Sequence, residues 1–418
     1  MDKKIKILTL SDHPLSPSGV GIQTQNVIRS VLDTGKFKVL SLGGAMKHHD
    51  YSPTKIEEYG DDWIIQPIDD YGTPELIKSI IRSEKIDMLW IMTDPRFYEW
   101  LWAFENEIRP FIPIIYYHVW DNYPYPSFNT KWYDSNDCIA TISKVTDDIV
   151  KTLVPHVQSE YIPHAVDNEV FVPPNSMDRK EFRKQAFGVE DDTFVVFWNN
   201  RNARRKQSGS LVFWFKDFLD NVGHDKAKLI MHTDPSDPHG QDLFSVIEQL
   251  GVDKGQVTLS VQKLPPHMLA KMYGAADLTV NISDAEGFGL ATLESLSCGT
   301  PILVTMTGGL QEQVTDGEEW FGMGIQPSSK SVIGSQQVPW IYEDRISQQD
   351  FIECLTDLYN AGPEARLEMG KKGRAHVEKN YNFDDFKSKW VKLILDVHEK
   401  HGSWENREGY QNWRMVSL

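Results

Sequence analysis

The sequence predicts an α/β fold built from two doubly wound domains, and three features of its 418 residues carry that expectation. Short apolar runs alternate with helix-length segments up to about Val166. A polar stretch containing a Pro-Pro pair then interrupts the pattern, and the same alternation resumes after it. Strands separated by helical segments pair in parallel, since consecutive parallel strands need a crossover connection, usually a helix.

The elements follow in order. "IKILTL" is the first strand; basic residues precede it, but only five or so apolar positions come before Ser11, Asp12 and His13, too few for the apolar core of a signal peptide. "FKVLSLG", "WIIQPI", "DMLWIMT", "PIIYYHV", "CIATIS" and "EYIPHAV" continue the strand series. Residues 167–193 are polar and read as an interdomain connection with one short helix. "FVVFWNN", "AKLIMHT", "VTLSVQ", "DLTVNIS" and "PILVT" form the second series, with "SGSLVFWFKDFLDNVG" and "GQDLFSVIEQLG" as helices between them. From about Asn382 to His401 the spacing predicts an amphipathic helix, and a short aromatic tail follows. The expected domains are therefore 1–168, joined by about 384–418, and 190–383.

Composition narrows the function. With 40% hydrophobic and 25% charged residues the chain is globular, and its net charge of −17 disfavours duplex nucleic acid as a partner. Three widely separated cysteines, Cys138, Cys298 and Cys354, suit neither a disulfide framework nor a cysteine-based zinc site. A cytoplasmic location is expected, and no run approaches the ~18 apolar residues of a membrane helix.

In open parallel sheets ligands collect at the carboxyl ends of strands, where helix N-termini offer unpaired N–H groups to anions. After the first strand, "SDHPLSPSGVG" places Gly19 and Gly21 at the start of a helix. They either admit a phosphate to the backbone or simply shape a turn. At the corresponding place in the second domain, "SDAEGFGLATLESLSCGTP" sets Glu286 and Glu294 on either side of seven residues that include two glycines. A carboxylate accepts two parallel hydrogen bonds and so suits vicinal hydroxyls, while the glycines leave room beside it. The expected ligand is polyhydroxylated.

The segment from Asn281 to Val314 closely resembles the signature of the GT4 family of retaining glycosyltransferases (glycosyl transferases group 1). Its E-x7-E element falls at Glu286 and Glu294, its "CGTP" at Cys298 to Pro301 and its "GG-L-x-E" at Gly308 to Glu312. "FWNNRNARRKQ" resembles the family's strand-end R-x4-K element, with Arg201 and Lys206 at the matching positions, and His118 resembles its strand-end His. In "YIPHAVDNEVF", His164 and Ala165 stand where the family pattern has Asn and Gly.

That resemblance implies a GT-B architecture, with two Rossmann-like domains facing across a cleft and the C-terminal helix crossing back to the first. It implies that Glu294 holds the nucleotide ribose, Glu286 faces the donor sugar, and the backbone around Phe288, Gly289 and Leu290 meets the sugar or diphosphate. Arg201 and Lys206 would clamp the diphosphate, and His118 would lie beside the donor sugar. The activity implied is metal-independent, retaining hexosyl transfer from a UDP- or GDP-type sugar, without a cofactor, to a glycan or glycoconjugate. Rival readings are a sugar-nucleotide epimerase of the same fold, a phosphorylase, a glycosyltransferase acting on a modified nucleic-acid base, and an inactive sugar-nucleotide binder. "HTDPSDPHG" offers His232, Asp234, Asp237 and His239, and reads as an acidic turn more readily than a metal site. Trp120, Tyr123 and Tyr125 either stack on a sugar acceptor or pack on the neighbouring domain, and Asp94 and Asp121 supply carboxylates in the same set of loops.

Overall fold

In a computed structural model the described residues are 3–120 and 122–411. They fall into two compact units. The first takes the chain up to Trp120, Tyr125–His164 and everything from Asp384; the second is Ala165–Phe383 with the short loop that ends at Pro124.

In the first unit, eight strands lie in one sheet among the described residues: β1 (Ile5–Asp12), β2 (Phe37–Gly44), β3 (Thr54–Lys55), β4 (Trp63–Pro67), β5 (Met88–Met92), β6 (Ile114–His118), β7 (Cys138–Thr141) and β8 (Gln158–Tyr161). Their order is β3-β4-β2-β1-β5-β6-β7-β8, parallel except where β3 meets β4. Ile7 of β1 pairs with Val39 on one side and Met88 on the other. β5, β6 and β7 are buried along their whole length, which is why they read as continuous apolar runs with no alternation.

The second unit repeats the plan with β9 (Phe194–Asn199), β10 (Ala227–His232), β11 (Val257–Ser260), β12 (Leu278–Asn281), β13 (Ile302–Thr305) and β14 (Gly322–Ile325), in the order β11-β10-β9-β12-β13-β14, all parallel. Trp198, Phe215, Phe218, Leu229, Val280 and Leu303 form the centre of its core. After β14 the chain makes an antiparallel hairpin, β15 (Ser329–Ile333) and β16 (Ile341–Arg345), separate from the main sheet.

Several elements depart from the sequence reading, which did not include β3 or β14 among its strands. The run "EYIPHAV" supplies strand only through Tyr161; the Ile162 N–H makes the last bond to β7, to the Thr141 carbonyl at 3.0 Å, and the ladder stops at Pro163, which lacks the N–H to continue it. The connection after residue 167 holds the helix Ser176–Phe182, which continues as a wider π turn over Arg183–Phe187. The β15–β16 hairpin went unforeseen, since its inward-facing residue is the charged Glu343, 2% exposed.

The C-terminal helix Phe383–His401 returns to the first unit. Its Trp390 is fully buried, edge-on to Trp90 at 5.8 Å and to Tyr117 at 4.7 Å. Beyond it Arg407 reaches the buried Asp137 at 2.7 Å. Trp390→Ala is therefore expected to cost about 3–5 kcal/mol, the range for deleting a buried aromatic, read as a lowered midpoint in chemical denaturation.

Candidate functional site

The site in the second unit starts from two strand ends. β12 closes at the buried Asn281, whose side-chain oxygen accepts from the Ser283 N–H at 3.2 Å and turns the chain into the 283–289 loop. The loop ends at Gly289, whose φ of +93° favours glycine, and the helix Leu290–Ser297 begins there with no side-chain cap. Its first N–H groups thus lack intrahelical acceptors. A second loop, after β13, packs its backbone directly on the first: Gly309 N–H donates to the Glu286 carbonyl at 3.1 Å. A Cβ at Gly308 would lie 1.8 Å from that carbonyl oxygen, and one at Gly309 would lie 2.6 Å from the Phe288 Cα. The paired glycines exist because two backbones touch.

Glu286 and Glu294 sit in opposite electrostatic surroundings. The Glu286 carboxylate contacts the Lys206 ammonium and accepts from Asn281 Nδ2 at 3.3 Å. Burial opposes its ionisation, yet Lys206 and Arg205 hold its pKa below the ordinary carboxylate range. Among the described residues, no cation contacts Glu294. Burial pushes its pKa up to about 7, partly offset by the Tyr273 hydroxyl, which donates to it at 2.8 Å. Tyr273 in turn accepts from Asn199 Nδ2, at the end of β9, at 2.7 Å. One glutamate is held charged and its neighbour is held near neutrality, the division seen where two carboxyl groups have different work.

The basic turn after β9 divides its cations. Lys206, 7% exposed, faces Glu286. Arg201 does not join it: its guanidinium bonds Asp237 at 2.6 Å and His239 at 2.8 Å, and Arg201 is the first cause of the depressed Asp237 pKa. Arg204 grips Glu343 with both Nη atoms, at 2.9 and 2.5 Å, and Arg205 donates to the Ala285 carbonyl. The "HTDPSDPH" turn accordingly serves Arg201, and among the described residues no group of three or more His, Cys, Asp or Glu is placed to hold a metal ion.

Gly19, Gly21 and His118 belong to the first unit. Gly21 gives its N–H to the Ser18 cap at 3.0 Å, and a Cβ there would meet Ser16 Oγ at 2.2 Å. Its role in the structure is to let the β1 turn close, with Gly19 opening the helix Gly19–Leu32 beside it. His118 is fully buried at the end of β6, between the rings of Tyr116 and Tyr133. Burial lowers its pKa to about 3, so the ring is neutral. Nδ1 accepts from the Trp120 N–H at 3.2 Å, which leaves the hydrogen on Nε2, an atom without a partner among the described residues. His164 bonds the Tyr117 hydroxyl at 2.8 Å.

Trp120 is 5% exposed and packs edge-on to Phe128 within the first unit. Tyr123 and Tyr125 are half-buried, and Asp94 pairs with Arg96. Asp121 lies outside the described residues.

The family model for "Glycosyl transferases group 1" matches residues 178–376, the span that carries this site. Over that span, just under half of its length, the chain is similar to the group 1 glycosyltransferases. Among curated relatives, it is 27% identical over 237 residues to a GDP-mannose-dependent monoacylated alpha-(1-6)-phosphatidylinositol monomannoside mannosyltransferase of Corynebacterium glutamicum, an alignment covering 55% of this chain and 54% of that protein. It is 40% identical over 218 residues to a D-inositol 3-phosphate glycosyltransferase of Segniliparus rotundus, covering 52% and 42% respectively. The chain thus spans about half or less of the length of these curated relatives. Sucrose-phosphate synthase from Thermosynechococcus elongatus superimposes with a TM-score of 0.75 at 16% identity, over 95% of this chain and 100% of that one. Anabaena HepE in complex with UDP-glucose gives 0.69 at 15%, over 94% and 100%. At such identities the likeness establishes the fold, which is GT-B.

Sequence reasoning missed Asn281 and Tyr273, which bond Glu286 and Glu294, and Asn199, which bonds Tyr273. Asn199 and Asn281 carried a signal, each being the polar residue that ends a buried strand at the ligand edge. Tyr273, in the helix Pro266–Ala275, carried none.

The raised Glu294 pKa makes a stability prediction. The folded chain retains this proton up to about pH 7 while an unfolded carboxyl, at 4.5, has lost it, so ionisation opposes folding and stability declines between those values. Glu294→Gln removes that decline. Relative to wild type, the variant is expected to gain on the order of 1–3 kcal/mol between pH 5 and pH 8, measured by urea denaturation across that range.

Proposed function

We propose that this chain is a retaining glycosyltransferase that moves a sugar from a nucleotide-diphosphate donor to a glycan or glycoconjugate acceptor. The observation that carries the proposal is the pair of glutamates in opposed surroundings. Glu294, at the head of the Tyr273–Asn199 chain, takes the ribose hydroxyls; Glu286, with the backbone of Phe288, Gly289 and Leu290, takes the donor sugar. Lys206 meets the diphosphate, and the uncapped start of the helix Leu290–Ser297 adds backbone N–H groups to the same charge. Arg201 joins the diphosphate clamp on leaving Asp237.

The chemistry proposed is a front-side displacement. The bond from the anomeric carbon to the diphosphate oxygen breaks, the acceptor oxygen bonds the same face, and the departing diphosphate receives the acceptor proton. Lys206 and Arg201 offset the charge that grows on the leaving group, so neither a metal ion nor a cofactor is required. His118 serves as a neutral N–H donor from the first unit, which takes the acceptor. The net charge of −17 makes a polyanionic acceptor unfavourable. No helix among the described residues is long and apolar enough to cross a membrane, and the three cysteines are unbridged; both support a cytoplasmic location.

The donor base is open to direct test, since one relative's name specifies GDP-mannose and the HepE complex holds UDP-glucose. A calorimetric screen of UDP and GDP with their sugars is expected to find one that binds, with mass-spectrometric turnover of the matching donor. Glu294→Ala is expected to weaken binding of that nucleoside diphosphate by about 1–3 kcal/mol, and an unchanged affinity in the folded variant removes the ribose role. Lys206→Ala is expected to lower kcat/KM at least about tenfold, while EDTA leaves the wild-type rate intact.

A further inference from the structure

The β15–β16 hairpin carries charge where a hairpin ordinarily carries apolar side chains. Glu343, on β16, has a side chain 3% exposed and takes two arginines: Arg204 from the basic turn, and Arg345, two residues along the same strand, at 2.9 Å. Arg345 also contacts Asp284, whose side chain is 4% exposed and which accepts from Gln207 Nε2 at 2.7 Å. Two carboxylates and two guanidinium groups thus form a closed, balanced network. Its main-chain bonds run through the same place: Asp344 N–H donates to the Asp284 carbonyl at 2.9 Å, and Asp284 N–H donates to the Arg205 carbonyl at 2.8 Å.

The segments joined by these bonds are the turn Arg204–Lys206 and the 283–289 loop. Lys206 stands at the end of one and Glu286 in the other, so the network crosslinks the two supports of the ion pair. A lysine has four rotatable bonds and a compact charge, and its place is set by whatever holds its backbone. Arg204 and Arg205, which sequence left unranked, both have assignments here that tie turn to loop.

We propose that Glu343 and Arg345 are positioning residues of the transferase site: the hairpin fixes the separation of Lys206 and Glu286, and through them the diphosphate and sugar ends of the donor. This rests on the reading of that pair given under Proposed function. Without Glu343, Arg204 and Arg345 are left as neighbouring cations with one carboxylate between them, and the turn is released from the loop.

Glu343→Ala provides the test, with Glu343→Gln, which keeps the shape, in its place should the alanine variant fail to fold. Hydrogen exchange at the Asp284 amide and across 204–206 and 283–289 is expected to accelerate at least about tenfold, with the amides of β9 and β12 unchanged. Donor kcat/KM is expected to fall about tenfold or more, yet by less than about threefold when Glu343→Ala is added to Lys206→Ala, because residues that act through one another are not additive. Unchanged exchange in both segments overturns the proposal, as does an equal loss in the two backgrounds. A wild-type protein that turns over no nucleotide sugar defeats the functional reading instead, and the exchange measurement still decides the hairpin's role.

Discussion

An ammonium against a largely buried carboxylate, Lys206 on Glu286, is the interaction around which the second unit arranges its site. Such a pair is stable only when other groups share its remaining hydrogen bonds and when both backbones are fixed. Asn281 supplies one bond to the carboxylate, and Arg205 anchors the Ala285 carbonyl next door. Gly308 and Gly309 press their backbone against the Glu286 carbonyl, so the loop has little freedom to shift. The pair dictates glycines in one loop and cations in another, at positions far apart in the chain.

Its effect on Glu294 is indirect. With the local cations committed to Glu286, Glu343, Ala285 and Asp237, none among the described residues contacts Glu294, and burial raises its pKa, opposed by one tyrosine hydroxyl. Two residues of the same type in the same motif acquire different protonation behaviour from the placing of four basic side chains. That difference suits one carboxylate to a charged, fixed environment and the other to an environment that a ligand's hydroxyl groups complete.

The first unit uses burial in another way. Its central strands are apolar on both faces, and a histidine at the end of one of them is therefore neutral and fixed in tautomer by a backbone N–H. The C-terminal helix completes the packing behind it, with Trp390 against Tyr117 on the same strand. Gly21 and Trp120 also serve this framework: one allows a turn to close and the other packs beside Phe128.

Periodicity was enough to recover the parallel strands of both units apart from β14, and the existence of the C-terminal helix, because buried strands and amphipathic helices leave local apolar patterns; the return of that helix to the first unit was what the family resemblance implied. The E-x7-E, C-G-T-P and G-G-L-x-E elements were legible because each is a contiguous stretch that resembles a family signature. What sequence could not supply was any fact created by two distant segments meeting. Tyr273 beside Glu294, Asp237 on Arg201, and Glu343 between Arg204 and Arg345 lie 21, 36 and 139 residues apart in the first bond of each set. The hairpin bearing Glu343 was missed because its buried position is charged, so no apolar alternation marks it. The sequence by itself determined the layers and the identity of the site's loops; tertiary structure alone decided which cation faces which carboxylate, since those choices depend on through-space distance and desolvation.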